Sequence, residues 1–309
     1  MNGAQDESQI GVVGAGLIGM SWAGLFSAFG YPTIVYDPNL KGQNEALSVI
    51  NEFWRSLDLL FDNLNNKREV QFSDTLYDLK ACTFIQENCP EDLVVKKEVI
   101  EELEQLVSAE TIISSSTSSF LPSELQRACS HPERVLVGHP MNPPHLIPVV
   151  EIVLGKLANQ ETANQAISFY KSLNRIPVLI KKEMRGHLAN RLTSALYREA
   201  VYLVSEGVAD VEDVDSVISN GPGLRLALLG PHMNYHLGGG DGGYRYYLEH
   251  LGPSQEERWK TLGETPLTSE IKEKLIKGIE CQNVDTSELK TKRDAGLIEI
   301  LKTKKINKL

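Results

Sequence analysis

The chain has 309 residues, 41% of them hydrophobic, and a net charge of −10 with a pI near 5.3. This composition is that of an ordinary globular protein, with enough length for two domains and a sizeable core. The acidic balance disfavours nucleic acid or an anionic membrane as the main partner, because both select clustered positive charge.

The first residues and the cysteines indicate the compartment. Residues 1–9 are polar and show no secretory leader, and no apolar run is long enough to span a bilayer. We therefore expect a cytoplasmic protein without a metal site, with Asn-Lys-Leu at the C-terminus leaving a peroxisomal address as an alternative. Four cysteines lack C-x-x-C or zinc spacing and are expected to be free thiols: Cys82, Cys89, Cys129 and Cys281.

A dinucleotide-binding pattern occupies residues 10–37. An apolar strand at 10–13 leads into the sequence GAGLIG at 14–19, and a helix is predicted over 17–29. A second strand at 33–36 ends at Asp37. The glycines permit the tight turn, the approach of a pyrophosphate and close helix packing, while an acid at the end of the second strand can bind ribose hydroxyls. Predicted cofactor-binding residues here are Gly14, Gly16, Leu17, Ile18, Gly19 and Asp37.

The carboxylate of Asp37 would repel a 2′-phosphate, so NAD is favoured over NADP as the cofactor. Two alternatives stay open from this pattern alone. One is a tight strand-to-helix turn that binds no nucleotide, and the other is a flavin in place of NAD.

Strand-like and helical segments alternate through the first part of the chain. A helix is predicted over 41–66, then a strand CTFIQEN, a helix LVVKKEVIEELEQLV, and the strands TIISSS and RVLVGHPM. Such alternation predicts a parallel, doubly wound α/β sheet of the Rossmann type, with ligands at the carboxyl ends of the strands. Beyond residue 182 the patterns are almost all helical. We predict an NAD-binding domain at 1–182 and a smaller all-helical substrate and dimerisation domain at 183–309.

The segment GHPMNPPHLIPVVEIV, at 138–153, contains four prolines that interrupt regular structure between two strands. A reversal there can bring Glu151 beside His139. A carboxylate fixes the tautomer of an imidazole and leaves its other nitrogen free to accept a proton. Taken alone, the pair is as readily a structural contact as a catalytic one.

These motifs together resemble the 3-hydroxyacyl-CoA dehydrogenase family over nearly the whole chain. The resemblance is carried by GAGLIG, ENCPEDLVVK at 87–96, SSSTSSFLPSEL at 114–125, GHPMNPP with Glu151, and GHLANRL at 186–192. It implies His139 as the general base and Glu151 as its orienting partner. It also implies Ser118 and Asn190 as hydrogen-bonding groups on the substrate oxygen, and Glu91 and Lys96 as cofactor-side contacts.

The family includes enzymes that oxidise acyl-CoA thioesters and a free-acid branch of carnitine and gulonate dehydrogenases, the latter also known as a lens crystallin. The segment 38–70 has four basic and five acidic residues. It therefore lacks the excess of positive charge that would bind the phosphates of CoA. NGPGLRLALLGP, at 220–231, resembles the free-acid branch, and its Arg225 can bind a carboxylate, or else form a surface ion pair. Met141 departs from the pattern, since an aromatic residue is expected there.

Aromatic side chains cluster in the segment 235–259, which resembles carnitine dehydrogenases. They could surround a quaternary ammonium group by cation–π attraction, although packing between helices or in a dimer is the favoured explanation for most of them. These residues are Tyr235, Tyr244, Tyr246, Tyr247 and Trp259.

The expected function is NAD-dependent oxidation of a small L-3-hydroxy carboxylic acid, of the carnitine or gulonate kind, by a homodimer formed through its helical domain. A 3-hydroxyacyl-CoA dehydrogenase is the first alternative. The second is a crystallin-like structural protein that retains NAD binding.

Overall fold

The computed structural model describes residues 8–39, 42–62 and 64–309, which form two compact units, Met1–Arg191 and Leu192–Leu309. An eight-stranded sheet is the centre of the first unit. The strands are β1 Gln9–Val13, β2 Thr33–Tyr36, β3 Val70–Ser73, β4 Cys82–Glu87, β5 Ile112–Ser115, β6 Val135–Pro140, β7 Val149–Leu154 and β8 Ile176–Ile180. Their order in the sheet is β3-β2-β1-β4-β5-β6-β7-β8. All neighbours pair in parallel except β6 and β7, which are antiparallel.

Helices cover both faces of this sheet and enclose two separate apolar cores. One core packs Trp22, Phe26 and Phe53 against the sheet, and the other packs Leu79 and Leu103 against the opposite face. Residues next to each other in a strand therefore face different cores, as period-2 strands require. The helices are α1 Leu17–Ala28, α2 Gln43–Phe61, α3 Leu93–Leu106, α4 Pro122–Leu125 and α5 Gln160–Ser172, with 3₁₀ turns at Leu76–Ala81, Gln126–Ala128 and Pro132–Arg134.

The second unit consists of helices, and residues 192–309 form no strand. Its first helix, α6, begins at Ala189, within the first unit. The elements are α6 Ala189–Ser205, α7 Val211–Asn220, α8 Pro222–Leu228, α9 Pro231–Gly238, a 3₁₀ turn Gly240–Gly242, α10 Gly243–His250, α11 Gly252–Trp259, α12 Ser269–Glu280 and α13 Thr286–Asn307.

The predicted fold class is confirmed: a mostly parallel, doubly wound α/β domain precedes an all-helical one. The domain boundary near residue 183 stays a prediction. The helix expected over 41–66 is shorter than predicted and runs from Gln43 to Phe61, because Asp62 adopts a left-handed conformation that ends it. Lys41 and Asn63 of that prediction lie outside the described residues.

The two edge strands of the sheet, β3 and β8, were not predicted from the sequence. The strand β3 is only four residues long, which is too short for a clear alternating pattern. The strand β8 contains Pro177, whose missing N–H is tolerated at the edge of a sheet. Among the residues that the structure describes, no helix has the length and apolar character needed to cross a membrane.

Candidate active site

The glycine-rich turn between β1 and α1 has the shape that a bound pyrophosphate needs. A side chain on Gly19 would lie 1.9 Å from the Gly14 carbonyl oxygen, so this helix can pack against its strand only with glycine there. Gly16 differs, since apart from its neighbours in the chain no described residue comes within 4 Å of the position of a Cβ. The N-cap residue of α1 is Gly16, which has no side chain to cap the helix. A phosphate at this turn can therefore bind the first N–H groups and the positive dipole end of α1. The turn therefore fits a dinucleotide phosphate.

Asp37 lies beside this turn at the end of β2. Its Oδ2 accepts a 2.8 Å hydrogen bond from the Ala15 N–H, and its Oδ1 accepts one of 2.8 Å from the Asn39 N–H. These bonds fix the carboxylate at the carboxyl edge of the sheet, where a ribose binds in doubly wound folds.

We expect the Asp37→Asn variant to bind NADH roughly tenfold more weakly, because it loses hydrogen bonds between a charged acceptor and ribose hydroxyls. Binding of NADPH should become stronger, since the repulsion of a 2′-phosphate is removed. Fluorescence titration with both dinucleotides measures this change, with Asp74→Asn, an exposed acid, as the matched control. Unchanged NADH affinity in Asp37→Asn would contradict the assignment.

A cavity of about 370 Å³ opens beside the carboxyl ends of β4, β5 and β6. It collects residues that are far apart in the sequence, and six of the predicted site residues line it together with Met141. The predicted residues at the cavity are Ile18, Glu91, Lys96, Ser118, His139 and Asn190.

His139, which lines this cavity, forms a buried hydrogen-bonded pair with Glu151. They are directly opposite each other in the antiparallel register of β6 and β7. His139 Nδ1 is 2.8 Å from Glu151 Oε2, and the residues are 4% and 2% exposed. The other oxygen, Oε1, accepts bonds from the N–H groups of Leu188 and Ala189 at 2.8 and 3.0 Å.

The carboxylate of Glu151 therefore also caps the N-terminus of α6. Burial alone would raise the pKa of Glu151, but the hydrogen bonds from His139, Ala189 and Leu188 outweigh it and lower the pKa below its ordinary value. A charged carboxylate requires the proton of His139 on Nδ1. Nε2 is then an acceptor, and no described residue bonds to it.

The proline-rich turn between β6 and β7 is held by a buried arginine. Arg175 is 4% exposed, and its guanidinium donates to the carbonyl oxygens of Leu173, Pro144, His145 and Ile147. Burial lowers its pKa to about 10. Prolines have no N–H with which to stabilise a turn, so a cation that donates to the carbonyl oxygens of the turn supplies hydrogen bonds that the prolines cannot. The turn also contains a cis peptide bond between Asn142 and Pro143.

The loop after β5, which contains Ser118, is held by Glu91. One oxygen of Glu91 accepts bonds from Thr117 Oγ1, the Ser118 N–H and the Ser119 N–H at 2.7, 2.9 and 2.8 Å. Burial acts to raise the pKa of Glu91, but these bonds and Lys96 lower it. The carboxylate thus fixes the position of the Ser118 hydroxyl at the cavity.

Lys96 is only 1% exposed and forms an ion pair with the equally buried Glu87 at 2.9 Å. It also donates to the Cys89 carbonyl oxygen at 3.0 Å and lies 3.5 Å from Glu91. These contacts hold the loop after β4, and all of them join Lys96 to other residues of the protein. A contact with the cofactor stays a prediction for Lys96 and for Glu91.

Sequence reasoning missed several residues at the cavity. Ser116 and Asn88 both line it and are joined by a 2.7 Å hydrogen bond. Beneath them Gln86 donates to Ser116 at 2.8 Å and accepts a bond from the buried hydroxyl of Tyr170. The signal in the sequence was the run of polar residues at the ends of β4 and β5. Cys89 also lines the cavity, but burial and Glu87 raise its pKa to about 12, which excludes a thiolate at neutral pH.

Arg225, the predicted carboxylate ligand, lies on α8 in the helical unit and is exposed. The other four arginines of residues 192–309 each contact an acidic or amide side chain. Arg225 has no such side-chain partner in this fully described range, where Leu229 and Asn234 donate to its backbone carbonyl. Its guanidinium is therefore available to an anionic ligand.

Three tyrosines of the helical unit stack on one another. Tyr235 stacks on the buried ring of Tyr247 with centroids 4.5 Å apart, and Tyr244 lies parallel to Tyr247 at 6.2 Å. Tyr246 stacks on His250 at 3.9 Å, while Trp259 is largely exposed. Rings stacked in this way pack helices together, and the stack leaves no room between Tyr235 and Tyr247 for a trimethylammonium group.

No cluster of three or more potential metal ligands occurs in the described ranges 8–39, 42–62 and 64–309.

Residues 9–184 match the NAD binding domain of 3-hydroxyacyl-CoA dehydrogenase, and residues 186–279 match the C-terminal domain of the same family.

Relatives and solved structures are similar over nearly the full length. The L-carnitine dehydrogenase of Oceanobacillus iheyensis is 39% identical over 297 residues, covering 95% of this chain and 97% of the relative. That of Bacillus cereus is 39% identical over 303 residues, covering 97% and 93%. Among structures, an NAD⁺-dependent 5-formyl-3-hydroxy-2-methylpyridine 4-carboxylic acid 5-dehydrogenase has a TM-score of 0.78 and 27% identity, covering 94% of this chain and 96% of its own.

Proposed function

This chain belongs to the 3-hydroxyacyl-CoA dehydrogenase family, and within that family of NAD-dependent dehydrogenases we propose that it oxidises the 3-hydroxyl of a free L-3-hydroxy acid such as L-carnitine. The observation that supports the chemistry best is the His139–Glu151 pair. No described residue bonds to Nε2 of His139, and His139 lines the same cavity as Ser118 and Asn190. Relatives that are L-carnitine dehydrogenases, 33–39% identical over nearly the full length, support the substrate class.

Four residues have tasks in the proposed reaction: Ser118, Asn190, His139 and Glu151. NAD, when bound, supplies the hydride acceptor. The Ser118 hydroxyl and the Asn190 amide donate hydrogen bonds to the substrate oxygen and hold it against the imidazole. His139 Nε2 takes the alcohol proton, and Glu151 stabilises the imidazolium through Nδ1. The product is the 3-keto acid, and the proton later leaves His139 for solvent.

The carboxylate end of the substrate is assigned to Arg225. A guanidinium to which no side chain of residues 192–309 is bonded can bind a carboxylate through two parallel hydrogen bonds. By contrast, the segment 38–70 offers little to a CoA phosphate, since its Lys67 is already paired with Asp58 at 2.6 Å. This charge distribution favours a free acid over an acyl-CoA thioester.

The decisive experiment compares the purified enzyme on L-carnitine, L-gulonate, 3-hydroxybutyrate and 3-hydroxybutyryl-CoA, with NADH formation as the measured rate. We expect the highest kcat/KM for one of the free acids, with L-carnitine first. A higher kcat/KM for the CoA thioester would overturn the free-acid assignment in favour of the thioester reaction. No turnover of any of them would favour a crystallin-like protein that only binds NAD.

The same assay tests Arg225. In Arg225→Met we expect the KM of the free acid to rise roughly tenfold or more, because a charged hydrogen-bonded contact is lost, with little change in the KM for NAD. Arg245→Met, which removes an exposed arginine already paired with Glu249, is the matched control and should behave as the wild type. Equal KM values in the two variants would exclude Arg225 from the substrate site.

A homodimer formed through the helical unit is also proposed. The helix α6 exposes a row of large apolar side chains, Leu192, Leu196 and Tyr197, which are 65%, 47% and 58% exposed. Contiguous apolar surface of this kind commonly marks an interface. Sedimentation at micromolar concentration should give a dimer, and Leu196→Lys should shift it toward the monomer. A monomeric wild type would contradict the proposal.

A further inference from the structure

A second histidine packs against the proposed base. His187, just before α6, is fully buried, and its ring centroid lies 5.1 Å from that of His139 with the planes tilted by 50°. Its Nε2 is 3.1 Å from the carbonyl oxygen of Thr117. Neither the sequence motifs nor the proposed mechanism assigns this side chain a task.

The bonding of His187 defines its charge and tautomer. A carbonyl oxygen only accepts, so Nε2 must carry a proton and donate it to Thr117. Nδ1 is buried and has no hydrogen-bond partner among the described residues, so a second proton there would be unsatisfied. Burial lowers the pKa of His187, as does the neighbouring His139, and the bond to Thr117 only partly opposes this. His187 is therefore neutral at physiological pH and does not compete with His139 for the substrate proton.

The segment around His187 bonds both to the loop that contains Ser118 and to Glu151, the partner of His139. Its ring bonds to Thr117, the residue before Ser118, while the N–H groups of the next two residues, Leu188 and Ala189, bind Glu151. The backbone of His187 has φ +49°, in the left-handed region that most side chains avoid. Such a conformation persists only where the surrounding contacts impose it.

We propose that His187 is a positioning residue, whose Nε2–H bond to Thr117 fixes the Ser118 loop relative to the imidazole of His139. The inference deepens the proposed function and rests on it. An apolar ring of the same size could fill the space and pack on His139. It could not hold the carbonyl oxygen of Thr117, and the hydrogen bond is therefore the feature to test.

Two substitutions separate bonding from packing. His187→Phe keeps a ring and loses the donor, whereas His187→Gln loses the ring and keeps an amide N–H that can reach Thr117. With the best substrate of the screen, we expect kcat of His187→Phe to fall roughly 10- to 100-fold, as small misplacements of reacting groups do, with the KM for NAD unchanged. His187→Gln should recover most of the lost rate. A phenylalanine variant with wild-type kcat, or one more active than the glutamine variant, would overturn the proposal.

A readout without turnover keeps this test separate from that of the proposed function. The backbone amide NMR resonances of Thr117 and Ser118 should shift in His187→Phe and return toward their wild-type positions in His187→Gln. Unmoved resonances in the phenylalanine variant would refute the positioning role. If the wild type oxidised no hydroxy acid, the proposed function would fail, and these resonances would still decide what His187 does. A lower melting temperature with wild-type kcat and unmoved resonances would assign His187 to stability alone.

Discussion

Replacing His139 with glutamine should lower kcat by about 10²–10⁴, the contribution expected of a general base. Glutamine has similar reach and can still bond to Glu151, so the cavity and the register of β6 and β7 should persist. Its amide, however, cannot accept the alcohol proton at neutral pH. The expected signature is a large loss of kcat with nearly unchanged NADH binding, because no bond between His139 and the glycine-rich turn is involved.

The measurement pairs steady-state rates with NADH titration and a melting curve. His131→Gln is the matched control, since that histidine is half-exposed and lies outside the cavity. It should retain wild-type rates. Should His139→Gln retain more than about a tenth of the wild-type kcat, the proton would have to pass to another group.

Glu151→Gln should lower both rate and stability. The two carboxylate oxygens accept three N–H bonds, from His139, Leu188 and Ala189. A glutamine amide has only one oxygen, and its NH₂ group would face at least one of these N–H donors. We expect kcat to fall on the order of 10³–10⁴-fold, because the imidazole loses the partner that sets its tautomer and stabilises its charge. The free energy of unfolding should fall by about 1–3 kcal/mol, the cost of leaving a buried donor unsatisfied.

The pH dependence of this loss follows from the lowered pKa of Glu151. Its pKa in the folded chain is below the ordinary 4.5, so the carboxylate stabilises the fold above that value and loses this effect as pH falls through the lower, folded pKa. The stability difference between wild type and Glu151→Gln should therefore be largest near neutral pH and shrink in acid. Glu183→Gln is the control, since Glu183 also accepts a backbone N–H, from Ser123, away from the cavity. It should retain full activity. A stability difference that stays constant down to pH 3 would contradict this account of Glu151.

Much of the fold could be predicted because its signals are local. The strand, glycine turn and helix at 9–28 are specified by adjacent residues, and the alternation of elements implies the doubly wound sheet. The approach of Glu151 to His139 was also predictable, because a turn between two strands restricts their pairing to a few registers. The position of Ser118 followed from the rule that ligands bind at the carboxyl ends of strands.

The remaining features depend on contacts between distant residues. Arg175 lies more than twenty residues from the turn it binds, and it recognises carbonyl oxygens, which every residue has and no sequence pattern reveals. His187 could not be distinguished from an ordinary helix-flanking residue, since its role depends on Thr117 and His139. Lys96 was predicted from the motif as a cofactor contact, but only the structure shows its buried pairing with Glu87.

The arginine beneath the proline-rich turn has a consequence for how this enzyme can diversify. Because Arg175 binds main-chain oxygens, its bonds to the turn do not depend on the side chains of Met141 and Asn142, which line the cavity. Substitutions at these two positions can reshape the walls of the cavity while the path of the backbone, and with it the meeting of His139 and Glu151, is kept. Substrate preference and catalytic geometry can thus evolve separately within a segment of a few residues.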